Sequence, residues 1–220
     1  MMDDSMHDGA RREREAAFVR KTAPTSGRHA RPDLFAVMGL PRRLDLDPKV
    51  LEPIYHRLSR EVHPDFHHHK PPDERAELLG RSALVNTAYR TLRDFHERVA
   101  YLVELEGGGA LKPKAPPELL EDVIEVQDLL EACRERRDVE ERRPLLDRLH
   151  REGERLRGQL ARLESDLKHR AREWDAAPES NGARAADRPN ILRALQDLLA
   201  QRIYLMNLLR DLESVPSTVV

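Results

Sequence analysis

The sequence holds a single cysteine, Cys133, in 220 residues. One thiol cannot build an internal disulfide framework or a CxxC zinc site. Its place among apolar positions at helical spacing predicts a buried structural thiol rather than a reactive one. Aromatic residues are also scarce, at 4% of the chain. The core must then be built from Leu, Val, Ile and Ala, which suits helix bundles better than sheets. No run approaches the roughly 20 apolar residues of a membrane span. The segment Met1–Arg31 lacks the apolar stretch of a secretory signal. It is polar with both signs of charge and reads as a disordered tail. Neither sign dominates the whole chain: 38 Lys and Arg stand against 40 Asp and Glu, a net charge of -2. That balance supplies no global attraction to nucleic acid. No GxSxG, Walker loop, HExxH or dinucleotide fingerprint is present, so no motif points to catalysis. The expectation is a cytoplasmic, non-enzymatic chain with no cofactor, metal, membrane or nucleic-acid partner.

What is present is helical periodicity. Leu34, Phe35, Val37 and Met38 predict a short helix after Pro32-Asp33 that closes at Gly39, a residue tolerant of positive φ. Asp47-Pro48 is a start signal for a second helix, because the carboxylate accepts free N–H groups and proline is preset for the first position. Leu51, Ile54, Tyr55, Leu58 and Val62 then recur on one face. Pro53 loses a backbone hydrogen bond unless it lies in the first turn, which argues for a start a few residues after Asp47. His63-Pro64-Asp65 ends the helix, since a residue before proline is pushed out of the α region. A loop through Pro71-Pro72 leads to a cap at Asp73. Ala76, Leu79, Ala83, Ala88 and Leu92 predict one face of a third helix, supported by Val85 and Tyr89. Helices two and three should pair antiparallel, with the polar loop exposed at one end. Phe95, Val99, Leu102 and Leu105 mark a fourth helix, stopped at Gly107-Gly108-Gly109.

From Gly107 to Pro117 the chain is rich in Gly, Pro and Lys, a linker by composition. Three long helices follow. Leu119, Val123, Val126, Leu130 and Cys133 share a face in the first. Leu145, Leu149, Leu156, Leu160, Leu163, Leu167 and Trp174 step along the second, broken only at Gly153. Leu192, Leu195, Leu199, Met206 and Leu209 form the third stripe, with Ile203 beside it. No stripe is satisfied alone, so a three-helix bundle is the economical solution. The expected division is a tail over 1–31, a helical domain over 32–107, a linker over 108–117 and a bundle over 118–215, all-α throughout.

His63-Pro64-Asp65 is weak as a bare tripeptide, and an ordinary helix-capping turn is one reading of it. Its context is more specific. It sits between two amphipathic helices, after basic Arg57 and Arg60, and before a helix bearing Val85-Asn86-Thr87-Ala88-Tyr89-Arg90-Thr91-Leu92. That arrangement resembles a J domain. The resemblance implies that His63, Pro64 and Asp65, with Arg57 and Arg60, contact a DnaK-type ATPase. Proline would stiffen the loop and lower the entropy lost on docking. Aspartate would offer a carboxylate to a partner arginine.

Three segments are similar, more narrowly, to the HscB (Jac) branch of J proteins. Asp33-Leu34-Phe35 with Gly39-Leu40-Pro41 matches that branch's opening, Thr91-Leu92-Arg93 through Arg98 and Tyr101-Leu102 matches its next conserved segment, and the three-helix unit has the right size and place. The likeness spans about Asp33 to Leu212, with its specificity in the first half. It implies a co-chaperone that delivers an IscU-type iron–sulfur scaffold to an HscA-type chaperone. The scaffold-binding positions it implies are Leu120, Ile124, Glu125, Asp128 and Tyr204. Leu120, Ile124 and Asp128 lie four apart and form one stripe beside the core stripe. Such a stripe is either a partner-binding face or the wide edge of a buried one.

Two departures bear on this. J domains usually carry Lys or Arg after the tripeptide, whereas here Phe66 follows directly, and helix two has fewer cations than many relatives. The run His67-His68-His69 reads as an exposed loop rather than a metal site, because adjacent residues rarely converge on one ion. The arginines 134, 136, 137, 142 and 143 alternate with Glu131, Glu135, Glu140 and Glu141, a solvated face. The alternatives are a general J protein with another client, or a helical interaction protein in which the tripeptide is accidental.

Overall fold

Capping chemistry decides where the helices begin and end. The computed structural model describes residues 32–67, 69–107, 119–136, 138–177 and 187–214. The expected tail, the linker 108–117 and His68 lie outside these residues. Helix α1 (Leu34–Met38) opens on Asp33, whose carboxylate accepts from the Phe35 and Ala36 N–H groups. It closes on Gly39 at φ 69, with Gly39 N–H donating to Ala36 O and Leu40 N–H to Phe35 O. This pair of bonds is a Schellman motif, and it requires the left-handed conformation that glycine adopts without strain.

Helix α2 (Pro48–Glu61) is capped by Asp47, whose carboxylate accepts from Lys49 N–H. The later start argued from Pro53 is therefore wrong: the helix begins at Pro48 and carries Pro53 in its second turn, at an exposed position. Asp47 supplies the cap, Pro48 the preset first position, and buried Leu51 and Leu58 hold the helix on either side of Pro53. Helix α3 (Pro72–Arg93) starts one residue before the expected cap, with Asp73 and Glu74 in its first turn and no side-chain cap. Carboxylates there still favour the positive end of the helix dipole. Its buried stripe is Leu78, Val85, Ala88 and Leu92. Leu79, Ala76 and Ala83, expected inside, are exposed. Helix α4 (Phe95–Gly107) buries Arg98, Val99, Leu102 and Val103.

The chain divides into two compact units, Met1–Glu106 and Gly107–Val220. In the first, α2 and α3 pair as a hairpin. Tyr55 stacks on Tyr89 with ring centroids 4.2 Å apart, and its hydroxyl donates to Asn86 at 3.0 Å. Phe35, Val37, Met38, Leu51 and the loop residue Leu44 fill the core. Tyr101 ties α4 to the entry of α1: its hydroxyl accepts from Leu34 N–H at 2.8 Å and donates to Pro32 O at 2.9 Å. Arg42 bridges Asp33 and Glu106. Burial acts to lower its pKa, but the hydrogen bonds to both carboxylates outweigh that and raise it.

The second unit contains α5 (Leu120–Glu135), α6 (Val139–Ala176) and α7 (Arg188–Glu213). Asp138 caps α6 through the Glu140 and Glu141 N–H groups. The shared core includes Val126, Leu130 and Cys133 from α5, Leu149, Leu156 and Leu163 from α6, and Leu205, Leu208 and Leu209 from α7. Gly153 is buried on the leucine stripe, where an added Cβ would meet Leu212 at 3.9 Å. The glycine therefore leaves the stripe unbroken as a buried face, with ordinary van der Waals contact to α7. Met206 is half-buried and Ile203 exposed, so the α7 stripe runs through Leu205 and Leu208 instead. Arg188 lies over the Trp174 ring at 4.1 Å and joins the end of α6 to the start of α7. Burial raises the Cys133 thiol pKa, although Arg142 and Arg136 act against it. Among the described residues there is no strand, and no helix long and apolar enough to cross a membrane.

Candidate functional site

The tip of the α2–α3 hairpin is built by the failure of α2 to pass Pro64. Val62 N–H still reaches Leu58 O at 3.2 Å, and Phe66 N–H then closes onto His63 O at 3.1 Å. This makes a 3-10 turn over Pro64–Phe66. His63 Nδ1 accepts from Asp65 N–H at 3.3 Å, an Asx-like closure that holds the loop in shape. Nδ1 also lies 3.7 Å from the Asp65 carboxylate. The Asp65 side chain is 84% exposed, the His63 side chain 48%. The tip therefore presents a carboxylate to solvent on a short, hydrogen-bonded frame.

His67 anchors that frame, and this overturns the expectation of an exposed histidine run. Its ring is 5% exposed, and Nε2 donates to Glu61 O at 2.8 Å. Glu61 is the last residue of α2, so the imidazole satisfies a carbonyl that the helix leaves open. Sequence reasoning missed this because it treated the histidines as one segment, whereas the Glu61 carbonyl takes His67 out of solvent. His69 is exposed. Among the described residues no group of three His, Cys, Asp or Glu side chains could hold a metal ion.

Arg57 and Arg60 are both exposed on α2 in the turn before the tip. Arg57 Nη1 lies 3.9 Å from Glu61, a contact too long and too open to neutralise it. Arg60 Nε donates to His56 O at 3.2 Å. The structure thus gathers His63, Asp65, Arg57 and Arg60 at one end of the hairpin.

Arg98 is a second residue the sequence did not single out for its contacts. It is buried, with Nε donating to Leu44 O at 3.0 Å and Nη1 donating to Leu92 O. Leu92 lies in the last turn of α3, and Leu44 lies in the loop between α1 and α2. One guanidinium therefore locks the far end of the hairpin to its supporting loop.

In the second unit, Leu120 is 47% and Ile124 60% exposed. Asp128 and Glu125 are exposed too, and Glu125 lies 3.6 Å from Arg148 of α6. Within this unit the stripe is an open face rather than the edge of the buried one. Tyr204 is different: it is half-buried and packs against the bundle core.

No protein-family model matches the chain. Curated relatives do. The chain is 32% identical over 151 residues to a co-chaperone HscB homologue of Azoarcus sp. (strain BH72), covering 67% of this chain and 83% of that protein. It is 43% identical over 75 residues to the homologue of Aromatoleum aromaticum, covering 34% of this chain and 42% of the relative. Among solved structures it resembles human co-chaperone protein HscB, with a TM-score of 0.55 at 20% identity over 87% of this chain and 83% of that one. That likeness shows the fold, a J domain followed by a helical bundle. With the Azoarcus protein aligned over most of its length and the tripeptide tip in place, the chain belongs to the HscB family of co-chaperones.

Proposed function

We propose that the chain stimulates ATP hydrolysis by a DnaK- or HscA-type chaperone through the hairpin tip, and delivers an IscU-type iron–sulfur scaffold to it through the α5 face. The observation that carries the reading is the exposed Asp65 carboxylate on a frame anchored by His63 and His67. A backbone frame already held by hydrogen bonds loses little entropy when the carboxylate it carries meets a partner arginine. Arg57 and Arg60 add positive charge beside it, which steers an acidic surface toward the same end. The co-chaperone has no bond to break in this scheme. It binds one conformation of the ATPase better than the other and so shifts the partner toward the state that hydrolyses ATP.

The second half of the reading rests on Leu120 and Ile124, two large apolar side chains left in solvent with acids beside them. Apolar anchors with a polar rim are the ordinary make-up of a protein-binding face. Glu125 and Asp128 form that rim, and Tyr204, half-buried against the bundle core, is the fifth position of the proposed face. The proposed division of the chain is the J domain over 32–107, a linker over 108–117 and the scaffold-binding bundle over 118–215.

The test is single-turnover ATP hydrolysis by a purified DnaK- or HscA-type chaperone, with the chain alone and with the chain plus scaffold. Stimulation by the chain, increased further by scaffold, is the expected result. No change in rate at any concentration of the chain would overturn the reading.

A further inference from the structure

We propose that Phe66 is a specificity-determining contact of the docking tip, seating in an apolar recess of the ATPase beside the arginine that receives Asp65. This deepens the J-domain reading and rests on it. The observation is an inverted pair. At adjacent positions Phe66 is 62% exposed, the most exposed large apolar side chain among the described residues, while His67 is 5% exposed. His67 follows directly on the 3-10 turn that ends at Phe66, and the two neighbouring side chains leave the backbone toward opposite environments. Stability alone favours the opposite choice. A phenyl ring gains from burial and carries no polar atom, whereas a buried imidazole must find partners for its nitrogens. Here Nε2 finds the Glu61 carbonyl, but Nδ1 has no hydrogen-bond partner in the protein. The fold therefore takes in the polar ring and holds the apolar one in solvent. A local rule broken at one place in an otherwise consistent element points to function.

The place fits. Phe66 directly follows Asp65, and the His63 ring meets it edge-on with centroids 5.8 Å apart. The aromatic ring is thus held with the tripeptide rather than hanging free of it. Exposed aromatics that become buried on docking are the usual anchors of an interface. Where a cation follows the aspartate in other J domains, this chain offers a ring. Its docking at that position then depends on apolar burial and little on ionic strength.

The experiment titrates a purified DnaK- or HscA-type ATPase with the unaltered chain, Phe66→Ala, Phe66→Lys and Asp65→Asn, at low and at moderate salt. Because residue 66 is exposed, helix content and unfolding midpoint should match the unaltered chain in both Phe66 variants. Phe66→Ala is expected to raise the half-saturating concentration by about tenfold or more. Phe66→Lys is expected to lose apparent affinity more steeply with salt than the unaltered chain. If Phe66→Ala stimulates with the unaltered half-saturating concentration while Asp65→Asn is inactive, the Phe66 proposal fails and the J-domain reading stands. If the unaltered chain does not stimulate at all, both fail.

Discussion

Two side chains taken out of water fasten the two ends of the hairpin. His67 donates to the last carbonyl of α2, and Arg98 donates to carbonyls of Leu44 and Leu92 at the other end of the hairpin. A buried guanidinium contributes by its hydrogen bonds, and removing it leaves two carbonyls short of a donor. We expect Arg98→Ala to destabilise the first unit by roughly 2–4 kcal/mol, read as a lower urea midpoint. An unchanged midpoint would show that the carbonyls find other donors. Cys133 gives a prediction with a sign. Burial raises its thiol pKa, so at a given alkaline pH less thiolate is present in the folded chain than in the unfolded one. Iodoacetamide should therefore label native Cys133 at least about tenfold more slowly than the urea-unfolded chain at pH 8. Equal rates would mean the thiol is reachable. The sequence made Cys133 legible as an apolar helical position. It did not make Arg98 or His67 legible, because nothing local separates a buried cation or imidazole from a solvated one. Only the carbonyls brought to them from elsewhere in the chain make the difference.

Helix boundaries show the same division between local and distant causes. Asp33, Asp47 and Asp138 cap their helices with their own carboxylates, and Gly39 ends α1 with the positive φ its place in the sequence suggests. These are short-range effects; the Asp47 cap and the Gly39 stop were readable as such, whereas Asp138 was not singled out and the cap expected at Asp73 is absent. The α3 stripe was misplaced by one position at Leu79, because Ala76, Leu79 and Ala83 fit a helical period as well as Leu78 and Val85 do. Only the packing of α1 and α2 decides which face turns inward. Pro53 is the clearest local conflict. It sits in the second turn of α2, exposed, and removes a hydrogen bond that the backbone could make. Pro53→Ala should stabilise the chain by roughly 1–3 kcal/mol, the gain of a helical bond offset by a freer unfolded state. Thermal unfolding followed by helix signal measures it. A lower midpoint would show that the proline makes packing contacts that outweigh the missing bond.

At the scale of the whole chain, two compact units carry two different kinds of surface. The first offers a charged tip, the second an apolar stripe with acidic neighbours. The all-helical fold and its order were legible throughout, since amphipathic periodicity recurs in every long segment, and a carboxylate cap supports it at Asp47. The tip was legible from a motif. The α5 face was legible only as a stripe at fourfold spacing, because exposure depends on where α6 and α7 lie against α5. Separate surfaces predict separable losses. Leu120→Ala with Ile124→Ala should weaken scaffold binding by about tenfold or more, while stimulation of the ATPase by the chain alone is retained. Isothermal titration with scaffold and the ATPase assay together check it. Unchanged scaffold affinity would remove the α5 face from the account. The claim beneath all of this is that the Asp65 carboxylate, held out by the hairpin, is what the ATPase reads. The measurement that tests it most directly compares the unaltered chain with Asp65→Asn in single-turnover ATP hydrolysis by a DnaK- or HscA-type chaperone, at matched helix content. We expect the unaltered chain to raise the rate in a saturable way and Asp65→Asn to leave it at the chaperone's own rate. Equal stimulation by the two proteins would contradict the account.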